Sequence, residues 1–206
     1  MQEATPKNEY ELKREGKDRQ DKVAEKKLFF KKVIKYGSIA LILGLIIWAV
    51  VALIQTKTPQ APDLSKAYEI QSREHIAEGA KHGAYNSNPP SGGPHYSQPA
   101  RRMFYTDPLP DERVIHNLEH GDGWIAYHPR ISQSIKDELK KFLFARIIIT
   151  PRAANDFDIS LVVWGRVDGF NIGNSKLDEA RINDFIKRYR NKGPEDIPLG
   201  MDQTFN

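Results

Sequence analysis

The chain has 206 residues, enough for one moderate domain with added segments, and contains no cysteine. That excludes disulfides, thiolate metal sites, iron–sulfur clusters and cysteine nucleophiles. The formal net charge of +4 lies entirely before residue 36, where 11 Lys and Arg face 7 Asp and Glu, while the remainder balances at 20 against 20; no nucleic-acid partner follows from so neutral a folded part.

Residues 1–35 are polar and highly charged, with little apolar material before Leu28-Phe29-Phe30. Such a stretch cannot bury enough surface to fold alone, and it reads as a solvated tail or a charged helix rich in good helix formers. Residues 36–56, from Tyr36 to Thr56, carry no charge. About 20 helical residues cross the hydrocarbon layer of a bilayer. The run is long, a long charged region precedes it, and no small-x-small site closes it, so the expectation is an uncleaved transmembrane helix, not a signal peptide. Lys26, Lys27, Lys31, Lys32 and Lys35 crowd its N-terminal flank, against Lys57 alone on the other. The positive-inside rule then gives a single-pass protein of the cytoplasmic (plasma) membrane, with a cytoplasmic N-terminus and its C-terminal domain outside. The basic cluster is expected to meet anionic lipid headgroups.

Residues 57–63 read as a short stiff linker through Thr58-Pro59-Gln60-Ala61-Pro62. Residues 64–206 form the expected extracytoplasmic domain. Within it, Ser72 to Lys81 suggests a short helix that would carry His75 on its surface, and residues 85–100 a loop. Asp111 is a candidate cap for a helix over Glu112–His120, stopped by Gly121. Gly123–Tyr127 reads as a buried strand, and Ser132 as the cap of a helix running to about Ala145. Arg146–Thr150 and Ile159–Val167 read as two further strands. Ser175 is a candidate cap for a last helix with Leu177, Ile182, Phe185, Ile186 and Tyr189 as its apolar stripe, ended by Gly193-Pro194. The expected class is α+β: one transmembrane helix, then a small domain with a mainly antiparallel sheet and two helices on one face.

Two motifs carry chemistry. In His116-Asn117-Leu118-Glu119-His120-Gly121, residues i and i+4 share a face whether the segment is helix or strand. The two imidazoles therefore project together, and a helix also puts Glu119 beside His116. In Tyr85-Asn86-Ser87-Asn88-Pro89-Pro90-Ser91-Gly92-Gly93-Pro94-His95-Tyr96, the prolines and glycines stiffen the approach to His95. The alternative is a tight structural loop packed by Tyr85 and Tyr96. Three imidazoles, His95, His116 and His120, with His82 as a candidate fourth, suit zinc or copper(II). The order His-x-x-Glu-His is also that of one class of metalloprotease, in which the Glu activates water. A metal-dependent hydrolase with Glu119 as catalytic general base is therefore an alternative, with Glu179 or Glu195 as acidic third ligand. A structural or interaction domain of the envelope, with merely hydrogen-bonded histidines, is another. His128, before Pro129, reads as an exposed turn residue. Nothing in the residues specifies a protein partner.

These motifs resemble the domain of unknown function 3105 family of membrane-anchored proteins, whose signatures are Tyr-Asn-Ser-x-Pro-Pro-Thr-Ser-Gly-Pro-His-Tyr and His-x-Leu-Glu-His-Gly. Tyr85–Asn88, Pro89, Pro90, Gly93, Pro94, His95 and Tyr96 match the first, and His116, Leu118, Glu119, His120 and Gly121 the second. Trp164-Gly165 and Gly193-Pro194-Glu195 resemble two later family motifs. Ser91-Gly92 stands where the family has Thr-Ser. The resemblance implies the outer-domain boundary and the choice of histidines, and implies no reaction.

Overall fold

The computed structural model describes residues 8–59, 61–144, 146–174 and 176–195, and the chain divides into two compact units between Thr56 and Lys57. The first holds α1, Glu9–Lys57. No proline interrupts it, and Pro59 disfavours helix at the residue before it. Its apolar residues Ile39, Leu41–Leu43, Leu45–Trp48, Val50, Val51, Leu53 and Ile54 are all exposed. By length and composition this helix can cross a membrane, a test that an N-terminal signal sequence also meets. The charged tail is helical from Glu9 onward; residues 1–7 lie outside the described residues.

The second unit is α+β. Its strands are β1 (Lys66–Ala67), β2 (His75–Ile76), β3 (His95–Tyr96), β4 (Gly123–Tyr127), β5 (Ile147–Pro151), β6 (Ile159–Val163) and β7 (Arg166–Phe170). Its helices are α2 (Asp111–Glu119), α3 (Gln133–Leu139, continued by a 3-10 turn over Lys140–Phe142) and α4 (Glu179–Tyr189). The main sheet runs β1-β7-β6-β4-β5. It is mixed: β1–β7, β6–β7 and β4–β6 are antiparallel, while β4 and β5 run parallel, with Trp124 opposite Ile148. A helical crossover carries the chain back to the end at which β4 began, so the strand after α3 must run the same way as β4. A separate pair, β2 and β3, is also parallel, with His75 opposite His95.

Both sheet faces are buried. Ile125, Tyr127, Ile147, Ile149, Ile159, Leu161 and Val163 meet Ile135 and Leu139 of α3, Phe142, and Ile182, Phe185 and Ile186 of α4. These are the two helices expected on one face. On the other side, Trp124, Ala126, Ile148, Val162 and Val167 meet Val114 and Leu118 of α2. The central strands are therefore apolar on both sides and show no alternation.

Three local expectations change. Residues 72–81 are not helical: β2 pairs with β3, and the His95 amide donates to the Glu74 carbonyl at 2.9 Å. Tertiary pairing overrides the helix propensity of Arg73, Glu74 and Ala77. The expected strand over 159–167 is a hairpin, β6 and β7, turning at Trp164-Gly165, where Gly165 takes φ +71°. The residue preceding α2 is Pro110, and Asp111 instead receives Arg152, whose Nε and Nη2 donate at 2.9 and 2.8 Å. Ser132 does cap α3, accepting from the Ile135 amide. Asp178 caps α4, accepting from the Arg181 amide at 3.0 Å. Ala145 and Ser175 lie outside the described residues. Ala61 and Asp63, at the end of the expected linker, hydrogen-bond to Arg188 and Tyr189 of α4.

Candidate metal centre

Two chain segments converge beside the C-terminal half of α2, which is itself the third part of the site. The first is β2, carrying His75 directly after Arg73 and Glu74. The second is the Pro/Gly loop, which ends in β3. Its shape is fixed at several points. Ser87 Oγ accepts from the Ser91 amide at 2.9 Å, and the Ser91 carbonyl accepts from the Gly165 amide at 2.7 Å. Asn88 is held by Arg152 Nη1 at 2.5 Å, and the Asn88–Pro89 bond is cis. Tyr85 Oη donates to the Pro94 carbonyl at 2.7 Å, one residue before His95. Gly93 has φ +124°, and a Cβ there would press on the Tyr85 ring. Packing by Tyr85 and delivery of His95 are thus the same arrangement. The third part is α2 itself, with His116 and Glu119 three positions apart and His120 at its C-cap.

His95, His116, Glu119 and His120 are all buried, at 0–6% exposure, while about half of the His75 side chain is open. His95 Nδ1 lies 2.8 Å from the Gly93 carbonyl oxygen, and His116 Nδ1 lies 2.6 Å from the Tyr96 carbonyl oxygen. A carbonyl can only accept, so each Nδ1 carries the proton. In the neutral ring Nε2 is then a bare lone pair. His95 Nε2 faces Glu119 Oε2 at 3.1 Å, and His116 Nε2 faces His120 Nε2 at 3.1 Å. His75 Nε2 is 3.7 Å from the same Glu119 oxygen. Its ring stacks on His116 at 4.9 Å between centroids and meets His95 edge-on at 4.8 Å. Ligand atoms of His75, His95 and His116 all lie within 4.8 Å of one another, close enough to hold a metal ion.

Arg73 organises the acids. Its Nε donates to Glu119 Oε1 at 2.5 Å and its Nη2 to Glu195 Oε1 at 2.9 Å. Glu195 Oε2 lies 3.2 Å from His120 Nε2. The Glu195 amide donates to the Glu119 carbonyl at 3.1 Å, and the Asn191 amide to the Gly121 carbonyl at 2.7 Å. This crossing is tight enough that a Cβ on Gly193 would overlap the Glu119 carbonyl oxygen and the Gly121 amide. Behind the site, Arg146 Nη1 donates to the His120 carbonyl at 2.5 Å. Asp122, fully buried, accepts from Arg102 at 2.7 Å and Asn117 at 3.0 Å.

Burial pushes the His116 imidazole down to about 4, against a smaller upward pull from the Tyr96 carbonyl. Burial also lowers His120. Both rings are therefore neutral at pH 7 and able to ligate. Burial alone would raise the Glu119 carboxyl, but the Arg73 hydrogen bond and the neighbouring His95 and Arg73 charges together hold it below its ordinary value.

Of the four histidines expected from sequence, the structure brings His95, His116 and His120 together. It places His82 elsewhere, with Nδ1 donating to the Gly83 carbonyl at 2.8 Å and Nε2 3.0 Å from Glu112. His75 joins the group instead, and only its pairing with His95 shows this. Arg73 has no local signal either. Glu195 stands beside His120, whereas Glu179 pairs with Lys141. His128 follows β4 at the start of a turn, as expected, but is half-buried and not exposed, accepting from the Arg130 amide.

A small α+β domain that buries four histidine and glutamate side chains of two separated motifs is the class this geometry defines. Residues 75–198, more than half of the chain, match the family model described as "Protein of unknown function (DUF3105)", and the chain belongs to that family. The match begins at His75 and includes every histidine and both glutamates of the cluster. No curated protein and no solved structure matches the chain.

Proposed function

We propose that this is a single-pass membrane protein whose extracytoplasmic domain binds zinc or copper(II) through its histidine cluster. The observation that carries the reading is the pair of Nδ1–H donations, from His95 to Gly93 and from His116 to Tyr96. Backbone carbonyls fix the tautomer and aim Nε2 inward, as the outer partners of metal-ligating histidines do. His75 lies within ligand reach of both. Imidazole donors without thiolate suit zinc and copper(II).

Binding is better supported than hydrolysis. A general base serves best with a pKa near the working pH, whereas the Glu119 carboxyl is held low and its Oε1 is occupied by Arg73. The topology follows from charge: residues 1–35 in the cytoplasm with the lysines of 26–35 against anionic headgroups, 36–56 across the membrane, 57–63 as a connection, and 64–206 outside.

The test is metal analysis of the untagged full chain in detergent after loading with zinc or copper(II) at pH 7.5 and desalting. At least one equivalent is expected, released as pH falls and protons compete for the ligand nitrogens. A protein that retains no zinc and no copper would overturn the reading. For topology, protease added to intact cells or spheroplasts is expected to digest the outer domain, and its protection would reverse the orientation.

A further inference from the structure

We infer that the cleft takes two divalent cations, one between His75, His95 and Glu119 and one between His116, His120 and Glu195. This rests on the metal-binding reading above and extends it from one ion to two.

The donors fall into two sets of the same composition, two imidazoles and one carboxylate. In the first, Glu119 Oε2 lies 3.1 Å from His95 Nε2 and 3.7 Å from His75 Nε2. In the second, His120 Nε2 lies 3.1 Å from His116 Nε2 and 3.2 Å from Glu195 Oε2. Ligand atoms about 2.0–2.1 Å from a tetrahedral zinc stand about 3.3 Å apart, close to these four separations. Two imidazoles with a carboxylate is a known zinc donor set, and also the facial triad of iron(II).

Arg73 treats the two carboxylates alike. It engages Oε1 of Glu119 and Oε1 of Glu195, leaving Oε2 of each turned to imidazole nitrogens. A guanidinium donates in a fixed plane, so one side chain holds both acids in ligand geometry. With the His95 ring neutral, its Nε2 and Glu119 Oε2 are both acceptors at 3.1 Å, a separation that a shared proton or a metal cation between them satisfies. His116 Nε2, bare because Nδ1 carries the proton, faces His120 Nε2 at 3.1 Å, a separation that a proton on His120 or a metal ion between the two nitrogens satisfies. A single tetrahedral ion takes four donors, and this cleft presents six. Glu195 reaches the second set only because Gly193 and Gly121 allow their backbones to cross without side chains.

When one ion is bound, His116 completes its shell with His75 and His95. When the second enters, His116 goes to His120 and Glu195, and Glu119 replaces it on the first. Arg73 with the two glutamates sums to one negative charge, so small anions of the medium offset the excess positive charge at full loading.

The experiment is calorimetric titration of zinc into the untagged full chain in detergent at pH 7.5, with metal analysis after desalting. Two equivalents are expected for the unaltered chain. Glu195→Gln and His120→Ala are each expected to leave one equivalent, with its affinity within about threefold, while His75→Ala leaves one through the other set. Glu195 is partly exposed, so Glu195→Gln keeps the fold, and thermal melting of each variant checks it. One equivalent in the unaltered chain, unchanged by Glu195→Gln, overturns the second ion and leaves the metal-binding reading standing. Two equivalents that survive both His120→Ala and Glu195→Gln also overturn it, because the second ion then sits elsewhere. No equivalents at all removes both readings.

Discussion

The two faces of the main sheet are built from adjacent residues of the same strands and have opposite characters. On one face Ile125, Ile149 and Leu161 are sealed under α3 and α4 in an all-apolar layer. On the other, Trp124, Ile148 and Val162 support α2, and α2 in turn presents His116, Glu119 and His120 to two loop segments. One face fixes the fold; the other uses the fold as a platform for polar side chains. The first is stabilised by burial, at roughly 1.5–3 kcal/mol for each large aliphatic side chain. The second buries charge and imidazole against that trend, and every such group needs a partner or a cation.

The largest expected effect separates the faces directly. Leu139→Ala, at a fully buried position of α3, should cost about 2–5 kcal/mol in chemical denaturation of the metal-free protein. It should leave the number of bound zinc equivalents unchanged. Loss of zinc on this substitution, with the fold retained, would break the division. The converse substitution is His95→Ala. It is expected to weaken zinc at the position His95 serves by at least about 100-fold, which is about 3 kcal/mol, while the metal-free protein still folds. Equal zinc affinity in the two proteins would remove His95 from the site.

Acid should act on the polar face through its buried imidazoles. The folded His116 sits near 4, below its unfolded value near 6.5. Between these values the unfolded chain binds a proton that the folded chain does not. Stability from this group is therefore complete above about pH 6.5 and falls as pH drops toward 4, by about 3 kcal/mol in total for the metal-free protein. His120 shifts the same way. Denaturation midpoints at pH 7.5, 6, 5 and 4 measure it, and a flat profile would mean that these rings are not buried neutral. A smaller effect belongs to the loop. Tyr85→Phe removes one hydrogen bond, to the Pro94 carbonyl, and should cost about 1 kcal/mol. It should also weaken zinc detectably, because the bond fixes the residue before His95.

The apolar face was legible because its signals are local. The stripe Ile182, Phe185, Ile186 and the cap and stripe of α3 are periodic in sequence, and the buried strands are apolar runs. The parallel direction of β5 was missed because the antiparallel expectation ignored the helix between β4 and β5. The polar face was legible only in part. His116, Glu119 and His120 share a helix, so their convergence follows from spacing alone. His95 was marked by the rigidity around it. His75 and Arg73 lie 20 or more residues before His95 and Glu195 lies 75 residues after His120, and their arrival depends on β2 pairing with β3 and on the Gly121–Gly193 crossing. His82 shows the reverse error, since nearness in sequence to a stiff loop does not place a side chain where the loop points.

The smallest expected effect concerns that residue, and it tests where the polar face ends. The Glu112 hydrogen bond raises the His82 imidazole above its ordinary value, against a smaller lowering by burial. His82 thus has the opposite sign to His116. Its contribution to stability is complete below the unfolded value near 6.5 and is lost as pH rises through the folded value. The pair is partly exposed, at 16% and 21% for the two side chains, so solvent screens it and His82→Ala should cost under about 1 kcal/mol. Zinc affinity and stoichiometry should not change, because both His82 nitrogens are engaged away from the cluster. Imidazole resonances of the metal-free protein provide the check: one histidine titrating above 6.5 and lost in His82→Ala, and another that stays neutral down to about 4 and is lost in His116→Ala. A tenfold fall in zinc affinity on His82→Ala would bring Glu112 and the His82 turn into the site and move its boundary past Tyr85.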